Sequence, residues 1–297
     1  MSTERGLVRA GARFYGYYPD TEAKRTQKDV RRLLAAASST AIPEALSFRA
    51  YEEEIYDQGQ SAACGGHGSA QLSAIAFKLA GAPLGFAPSP GVLYTVTRCL
   101  EREATTEALQ DIGIMPGDLV AAHARYGIRP MRVERTPDGR RSDVWTADDV
   151  RSLQPAPVAN INDEPDVGDL EVGATTLIVG EHRIDERLAS EAPNLVRQTL
   201  AVLGAPVGVG MLIGREVQHF HADSPAVGPT PKTEAGAGGH WFTVIGYRPS
   251  RTIPGEYEFE VCNSWGAGYG DAGHFWLSEA ALASASDLYA WTARVAA

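Results

Sequence analysis

The chain has 297 residues, of which 44% are hydrophobic, with 37 acidic and 27 basic side chains and a formal net charge of −10. This size and composition suffice for a substantial core in one large domain or two sub-domains. An acidic chain with scattered Lys and Arg does not favour nucleic acid or an anionic membrane as a partner, and no apolar run approaches the length of a membrane span.

The first half of the chain is predicted to be mainly helical. After an irregular stretch that ends in FYGYYPD, an amphipathic helix is predicted over 21–37. An extended segment then leads to a helix over 64–80, which is apolar almost all round in its second half and is ended by Gly81. Further helices are predicted over 90–102 and 116–126, each with proline at its start.

The second half changes from helix to strand. Residues 130–170 are polar and rich in turn formers, and no element is predicted there. A fourth helix is predicted over 187–203. Short apolar or alternating runs then predict strands at 206–213, 241–247, 257–262 and 274–277. Helices first and antiparallel strands last indicate an α+β fold.

The three cysteines, Cys64, Cys99 and Cys262, differ in their surroundings. An odd, small number without a secretion signal favours a reducing compartment, so a cytoplasmic location is expected, with export by a route without a cleaved signal as the alternative. Cys99 lies in an apolar helix and Cys262 in an apolar strand, which indicates packing roles. Cys64 opens a helix, where unpaired N–H groups and the helix dipole stabilise a thiolate.

Three segments of the chain resemble the motifs of the papain-like cysteine peptidases. DQGQSAAC at 57–64 resembles the nucleophile segment of that family, GGHWFTVIGY at 238–247 its histidine strand and NSWGAGYGDAGHFW at 263–276 its asparagine block. The order Gln, Cys, His, Asn along the chain also matches. DIGIMPGDLVAAHARYGI at 111–128 is similar to the family's Gly-Gly segment and the helix after it. The resemblance is to bacterial members and reaches from about residue 42 to the C-terminal end.

This resemblance implies a papain-like α+β fold of two sub-domains with the active site in the cleft between them. The expected domains are an N-terminal arm or short pro-like segment, 1–41, and a catalytic domain, 42–297. The helical half, about 42–130, would contain the nucleophile, and the β-rich half, about 190–297, the histidine and asparagine. The arm is expected to be structural, autoinhibitory or a docking site for a partner.

The resemblance also implies a role for each catalytic residue. Cys64 would attack an acyl carbon as a thiolate, and His240 would pair with it and protonate the leaving group. Asn263 would hold the ring of His240 in the useful tautomer. Gln58 and the backbone N–H of Cys64 would donate hydrogen bonds to the tetrahedral oxyanion.

The substrate-binding residues implied are Gly113, Met115, Gly239, Trp241 and Trp265. Gly113 would offer a backbone edge to an extended substrate, and Trp265 would shield the His–Asn hydrogen bond from water. Trp241 follows the base histidine, where the family has a small residue. We expect its indole either to fill the pocket for the second substrate residue before the cleaved bond, or to turn into the core.

Several other residues near these motifs have expected structural roles. Gly65, Gly66 and Gly68 make the start of the nucleophile helix permissive, since glycine costs about 1 kcal/mol relative to alanine. His67 is expected to be a packed or hydrogen-bonded histidine. The pair His219 and His221 lacks further ligands at matching spacing, so no metal site is predicted.

The expected function is hydrolysis of peptide bonds in a peptide or protein substrate through a thioester acyl-enzyme, without a cofactor. A transpeptidase, cyclase or ligase would use the same four groups, because an acyl-enzyme that excludes water can be intercepted by an amine. A catalytically silent peptide-binding module that keeps the cleft is the other alternative. The intact set of Gln58, Cys64, His240 and Asn263 favours an enzyme.

Overall fold

The structure is a computed structural model, and it describes residues 9–10, 13–14, 16–19, 30–37, 41–101, 111–131, 133–135, 141–143, 167–172, 175–183 and 190–295. Within these ranges, no helix has both the length and the hydropathy needed to cross a membrane. The described chain divides into a helical part and an antiparallel sheet.

Within the described ranges, the first half of the chain contains four α-helices: α1 Val30–Ala36, α2 Cys64–Leu79, α3 Pro90–Glu101 and α4 Pro116–Tyr126. The helices predicted over 64–80, 90–102 and 116–126 are confirmed to within one residue at each end. The helix predicted over 21–37 is described only from Val30, and residues 21–29 lie outside the described ranges.

Helix α2 is the central helix, buried for most of its length. Leu72, Ile75 and Phe77 are fully buried, in agreement with the apolar pattern of its second half. The glycines at its start allow close packing rather than flexibility. A Cβ on Gly65 would lie 2.4 Å from the side chain of Ile114, so this turn of α2 fits against the chain just before α4.

One antiparallel sheet of eight strands forms the second part. Its strands are β3 Leu46–Ser47, β6 Val167–Val172, β7 Thr175–Arg183, β8 Val207–Ile213, β9 Gly238–Pro249, β10 Tyr257–Cys262, β11 His274–Ser278 and β12 Asp287–Val295. Their order in the sheet is β11-β10-β9-β8-β12-β7-β6, with β3 paired to β9. Two short hairpins lie outside it, formed by β1 Arg9–Ala10 with β2 Arg13–Phe14 and by β4 Val133–Arg135 with β5 Arg141–Asp143.

Among the residues that the structure describes in the second half, three α-helices accompany the sheet: α5 Ala192–Leu203, α6 Arg215–Gln218 and α7 Glu279–Ala283. Helix α5 starts later than the predicted residue 187, with Pro193 in its first turn, and Gly204 ends it in the left-handed conformation at φ 60°. Its Leu195, Val196 and Leu200 join the core that β8, β9 and β10 build.

The strands are more extensive than the sequence pattern indicated. Strands β4 and β5 and the start of β6 fall within 130–170, where no element was predicted. Strand β9 extends to 238–249, beyond the apolar run at 241–247, because β8 pairs with its start and β10 with its end. The fold is α+β, with the N-terminal end of α2 beside β9.

Candidate active site

Cys64 is the first residue of α2 and is fully buried. Burial raises the pKa of its thiol to about 11, and hydrogen bonds from the backbone N–H groups of Trp241, Gly16, Gly65 and Cys64 itself lower it in part. The N–H of Trp241 belongs to β9, so this strand passes directly beside the sulfur. The thiol therefore lies between the helix start and the strand that contains His240.

The loop before Cys64 is fixed by a network of hydrogen bonds to Asp111 and Tyr94. Both carboxylate oxygens of Asp111 accept the N–H of Ala62, at 2.9 and 3.0 Å. Asp111 also accepts the hydroxyl of Tyr94 at 2.7 Å, and that hydroxyl accepts the N–H of Gly113 at 3.0 Å. Burial and the charge of Asp111 raise the pKa of Tyr94, so the phenol stays a donor. The network joins the nucleophile loop to the chain before α4.

His240 and Asn263 form the pair that the sequence predicted. His240 Nε2 lies 2.9 Å from Asn263 Oδ1, in a buried contact. The same Oδ1 accepts the N–H of Ser264 at 2.9 Å, which fixes the amide with its oxygen toward the ring. An oxygen only accepts, so Nε2 carries the proton and Nδ1 is the basic nitrogen. Asn263 therefore selects the tautomer of His240.

Aromatic rings surround the His–Asn contact. The indole of Trp265 packs on the imidazole of His240 with centroids 5.1 Å apart and an interplanar angle of 36°. Phe242 lies on the same imidazole with a centroid distance of 5.9 Å. Both aromatic side chains are almost fully buried. The hydrogen bond between ring and amide is thus kept in an apolar surrounding, where it is stronger than in water.

Gln58 is held by hydrogen bonds at both ends of its amide. Its Nε2 donates to the carbonyl of Ser61 at 2.8 Å, and its Oε1 accepts the hydroxyl of Ser264 at 2.6 Å. Its backbone N–H also donates to the carbonyl of Ser264 at 2.9 Å. An amide NH₂ has two hydrogens, so the orientation leaves the second one for another acceptor. Ser264 thus links Gln58 and Asn263.

A short N-terminal segment, Gly16–Pro19, lies in the cleft beside the thiol. The N–H of Tyr17 donates to the carbonyl of Gly239 at 3.2 Å. The N–H of Tyr18 donates to the carbonyl of Ile114 at 3.0 Å, and the N–H of Ile114 donates to the carbonyl of Gly16 at 2.9 Å. The segment is therefore paired with both walls of the cleft, as an added strand would be.

Gly16 passes so close to the nucleophile loop that only glycine fits. A Cβ at this position would lie 1.6 Å from the carbonyl oxygen of Ala62. A Cβ on Gly113 would likewise lie 2.3 Å from the carbonyl carbon of Gly16. The segment covers the sulfur of Cys64 by backbone contact and not by a large side chain.

The side chain of Tyr17 fills a pocket between β8, β9 and the start of β12. Its hydroxyl donates to a carboxylate oxygen of Asp287, which is fully buried. Its ring lies over Gly210, where a Cβ would be 2.2 Å from a ring carbon. The indole of Trp241 packs beside it with ring centroids 6.3 Å apart. Tyr17 itself is only 4% exposed.

The indole of Trp241 does not fill the pocket that Tyr17 occupies. The indole is fully buried between α2 and β8, because Gly68 and Gly208 leave room for it; a Cβ would lie 2.6 Å from its edge at Gly68 and 2.3 Å at Gly208. It forms one wall of the space that Tyr17 occupies. Of the two alternatives expected for Trp241, the structure shows the indole turned into the core, and a full tyrosine ring fits beside it.

The other predicted substrate-side residues lie along the cleft. Gly239 offers its carbonyl to the N-terminal segment. On the opposite wall the paired residue is Ile114 and not Gly113, because the N–H of Gly113 donates to Tyr94. Met115 follows Ile114 as the residue before α4.

His67, Cys99 and His221 lie outside the group of Gln58, Cys64, His240 and Asn263. His67 Nδ1 lies 2.8 Å from the carbonyl of Ala63, and its ring packs edge-on against Tyr56. Helix α3 contains Cys99, whose side chain lies outside the described residues. The N–H of His221 donates to the hydroxyl of Ser224.

Cys262, Glu52 and His274 form a group that the sequence did not indicate. Their possible ligand atoms all lie within 4.8 Å of one another. His274 Nδ1 lies 3.1 and 3.0 Å from the backbone carbonyls of Asp271 and Ala272, so Nδ1 carries a proton. Nε2 lies 2.9 Å from Glu52. Both ring nitrogens of His274 therefore have oxygen partners within the protein.

Comparison of the structure with solved structures identifies the fold. Xylellain, a cysteine protease from Xylella fastidiosa, superposes with a TM-score of 0.62 at 18% identity, covering 97% of this chain and 98% of that one. The chain has the papain-like fold. The papain-like proCathepsin B S9 from Trypanosoma congolense matches with a TM-score of 0.59 at 13% identity over 95% of this chain and 87% of that one. Digestive procathepsin L 3 of Tenebrio molitor matches with a TM-score of 0.53 at 16% identity over 87% and 72%.

No protein-family model and no curated protein matches the sequence. At identities this low, the likeness to papain-like structures establishes the fold and not the activity. Two of these structures are proenzymes by name, a procathepsin B and a procathepsin L.

Sequence reasoning missed three parts of the site. Ser264 stood inside the asparagine motif, so its link to Gln58 could have been sought there. Asp287 precedes the apolar run Leu288–Trp291, where no strand was predicted. No pattern marked Tyr17, since a segment that pairs through its backbone shows no hydrophobic periodicity.

Proposed function

We propose that the protein is a cysteine peptidase that hydrolyses peptide bonds through a thioester acyl-enzyme. The observation that carries the proposal is the 2.9 Å contact from His240 Nε2 to Asn263 Oδ1. His240 lies on β9, the strand that passes the sulfur of Cys64. This contact leaves Nδ1 as the basic nitrogen of a ring on β9, whose next residue, Trp241, contacts the thiol at the helix start through its N–H. The arrangement suits nucleophilic catalysis.

The reaction begins with proton transfer from Cys64 to His240 Nδ1. The thiolate attacks the carbonyl carbon of a peptide bond, and the oxyanion accepts hydrogen bonds from Gln58 Nε2 and the N–H of Cys64. The C–N bond then breaks, and the imidazolium gives its proton to the leaving amine. Water attacks the thioester, His240 takes one of its protons, and the thiol is released with a carboxylic acid.

We further propose that residues 1–41 act as an autoinhibitory segment through Gly16–Pro19. The segment uses the backbone partners on both walls of the cleft, at Gly239 and Ile114, that an extended peptide would need. With it bound, the thiol of Cys64 is buried and its pKa is raised to about 11, so the thiolate is scarce at neutral pH. Activity then requires that the segment leave the cleft.

The test is digestion of a proteome-derived peptide library, read by mass spectrometry, with and without an added amine. The full chain and a Gly16→Ala variant are compared with Cys64→Ala, which lacks the nucleophile. We expect new carboxyl termini formed by water. Products joined to the amine as the main species would indicate a transpeptidase or ligase. Labelling of Cys64 by an electrophilic thiol probe without any product would indicate a peptide-binding module.

A further inference from the structure

The pocket occupied by Tyr17 contains a buried acidic group. Asp287 is fully buried at the start of β12, opposite Gly210 of β8 in the strand register. A carboxylate accepts hydrogen bonds and does not donate them. The side chain that enters this pocket therefore meets an acceptor at its far end, and Tyr17 meets it with a hydroxyl.

The walls of the pocket fit a flat ring. The glycine at Gly210 leaves the space in which the Tyr17 ring lies, since any Cβ there would overlap the ring. The indole of Trp241 lines one side of this space. A ring with a hydroxyl at its far end thus satisfies both the walls and the end of the pocket.

The position of the pocket relative to the thiol fixes which substrate residue would use it. The N–H of Gly16 contacts the sulfur of Cys64, and the adjacent residue, Tyr17, fills the pocket. Tyr17 follows Gly16 in the chain and pairs with Ile114 in parallel. A substrate that pairs with the same wall in the antiparallel direction, with its carbonyl at the sulfur, therefore places its second residue before the cleaved bond in this pocket.

Resting on the peptidase function proposed above, we propose that Asp287 makes this pocket select a side chain that ends in a hydrogen-bond donor, with tyrosine preferred over phenylalanine. Tyrosine replaces the hydroxyl that Tyr17 supplies. Phenylalanine fills the same walls but brings a C–H to the carboxylate, which leaves a buried charge less well solvated. A site built around a hydrogen bond rejects the analogue that lacks it far more strongly than it rejects a missing methylene.

The experiment measures alkylation of Cys64, and not turnover. Two dipeptidyl acyloxymethyl ketones are compared, Tyr-Gly and Phe-Gly, on the full chain with Tyr17→Ala, which leaves the pocket for the probe. Second-order labelling rates are read by intact-protein mass spectrometry. We expect the Tyr probe to react roughly tenfold faster or more, as a hydrogen bond to a charged group allows.

Three further variants, each combined with Tyr17→Ala, assign the preference. Asp287→Ala should bring the Tyr-to-Phe ratio close to one, and the isosteric Asp287→Asn, which keeps an acceptor oxygen, should retain part of it. Asp223→Ala, which removes an exposed carboxylate, should leave the ratio unchanged. Iodoacetamide labelling of each variant corrects for differences in thiol reactivity.

A ratio within twofold of one in the Tyr17→Ala protein, or a preference that survives Asp287→Ala, would overturn the proposal. Because the probes bind and alkylate without hydrolysis, this result is separate from that of the peptidase test. A protein that labels with Tyr preference but cleaves no peptide would refute the proposed function and keep the pocket assignment.

Discussion

On the helical side of the cleft, Cys64 is positioned by backbone groups and glycines, whereas on the sheet side His240 is positioned by side-chain hydrogen bonds. The sulfur receives four backbone N–H groups, and Gly65 lets α2 approach the chain before α4. His240 instead depends on the amide of Asn263. From this difference we expect that added atoms disturb the position of Cys64 on the helical side. Removal of polar atoms should disturb the position of His240 on the sheet side.

Loss of the nucleophile gives the largest expected effect. Cys64→Ala should lower turnover by about 10⁵- to 10⁶-fold, because a catalytic unit that lacks its nucleophile keeps only binding and oxyanion stabilisation. Steady-state hydrolysis of a peptide from the library measures it. The control Cys262→Ala removes the other described thiol and should keep turnover within several-fold. Equal losses in both variants would contradict the assignment.

Loss of the Gln58 amide, which joins the loop before Cys64 to Ser264 on the sheet side, should have the next largest effect. Gln58→Ala should lower kcat by roughly 10²- to 10³-fold with little change in KM, since an oxyanion donor acts mainly in the transition state. Ser264→Ala keeps the amide but removes the hydroxyl that holds its oxygen, and we expect a fall of roughly two- to tenfold. An unchanged kcat in Gln58→Ala would remove this residue from the site.

An added methyl group tests the helical side of the cleft, at the loop before Cys64. Gly16→Ala places a Cβ within 1.6 Å of the Ala62 carbonyl, so the N-terminal segment should seat less well by about 1–3 kcal/mol. Initial hydrolysis rates of the full chain should then rise, by roughly five- to 150-fold. Gly228→Ala, where a Cβ meets nothing within 4 Å, should leave the rate unchanged. A slower Gly16→Ala enzyme would show that the segment supports the site and does not block it.

The pH dependence of labelling gives the smallest and most graded effect. Burial disfavours the thiolate and raises the pKa of Cys64 to about 11, so haloacetamide labelling should increase about tenfold per pH unit and level off near that value. In Gly16→Ala the thiol is more exposed, and labelling should level off at lower pH. Peptide mapping reports the site. A plateau below pH 8 in the unaltered chain would mean that the sulfur is already ionised with the segment bound.

The sequence predicted the parts of the molecule that depend on local pattern. Helices α2, α3 and α4 and strand β10 follow from apolar spacing and from proline or glycine at their ends, and the structure confirms them. The papain-like fold follows from the order of the Gln, Cys, His and Asn motifs, and the structural comparison confirms it. The pairing of His240 with Asn263 was predicted from the same motifs.

What the sequence could not predict depends on contacts between distant segments. The position of Tyr17 in the cleft rests on backbone pairing with residues almost one hundred and more than two hundred positions away, and a backbone donor leaves no trace in residue type. The direction of the Trp241 indole depends on Gly68 and Gly208, two glycines on different elements. The cytoplasmic location stays a prediction, which cell fractionation would test.

The segment that covers the thiol belongs to the same chain as the thiol, so its occupancy of the cleft does not depend on the protein concentration. A tethered competitor has a fixed effective concentration, commonly millimolar for short flexible linkers, so dilution does not release it. If the segment occupied the cleft in about 99 of 100 molecules, a substrate would bind with an apparent affinity about 100-fold weaker than that of the open cleft. Abundant substrate would still fill the site, and the protein would then respond to how much substrate is present rather than to how much of itself is present.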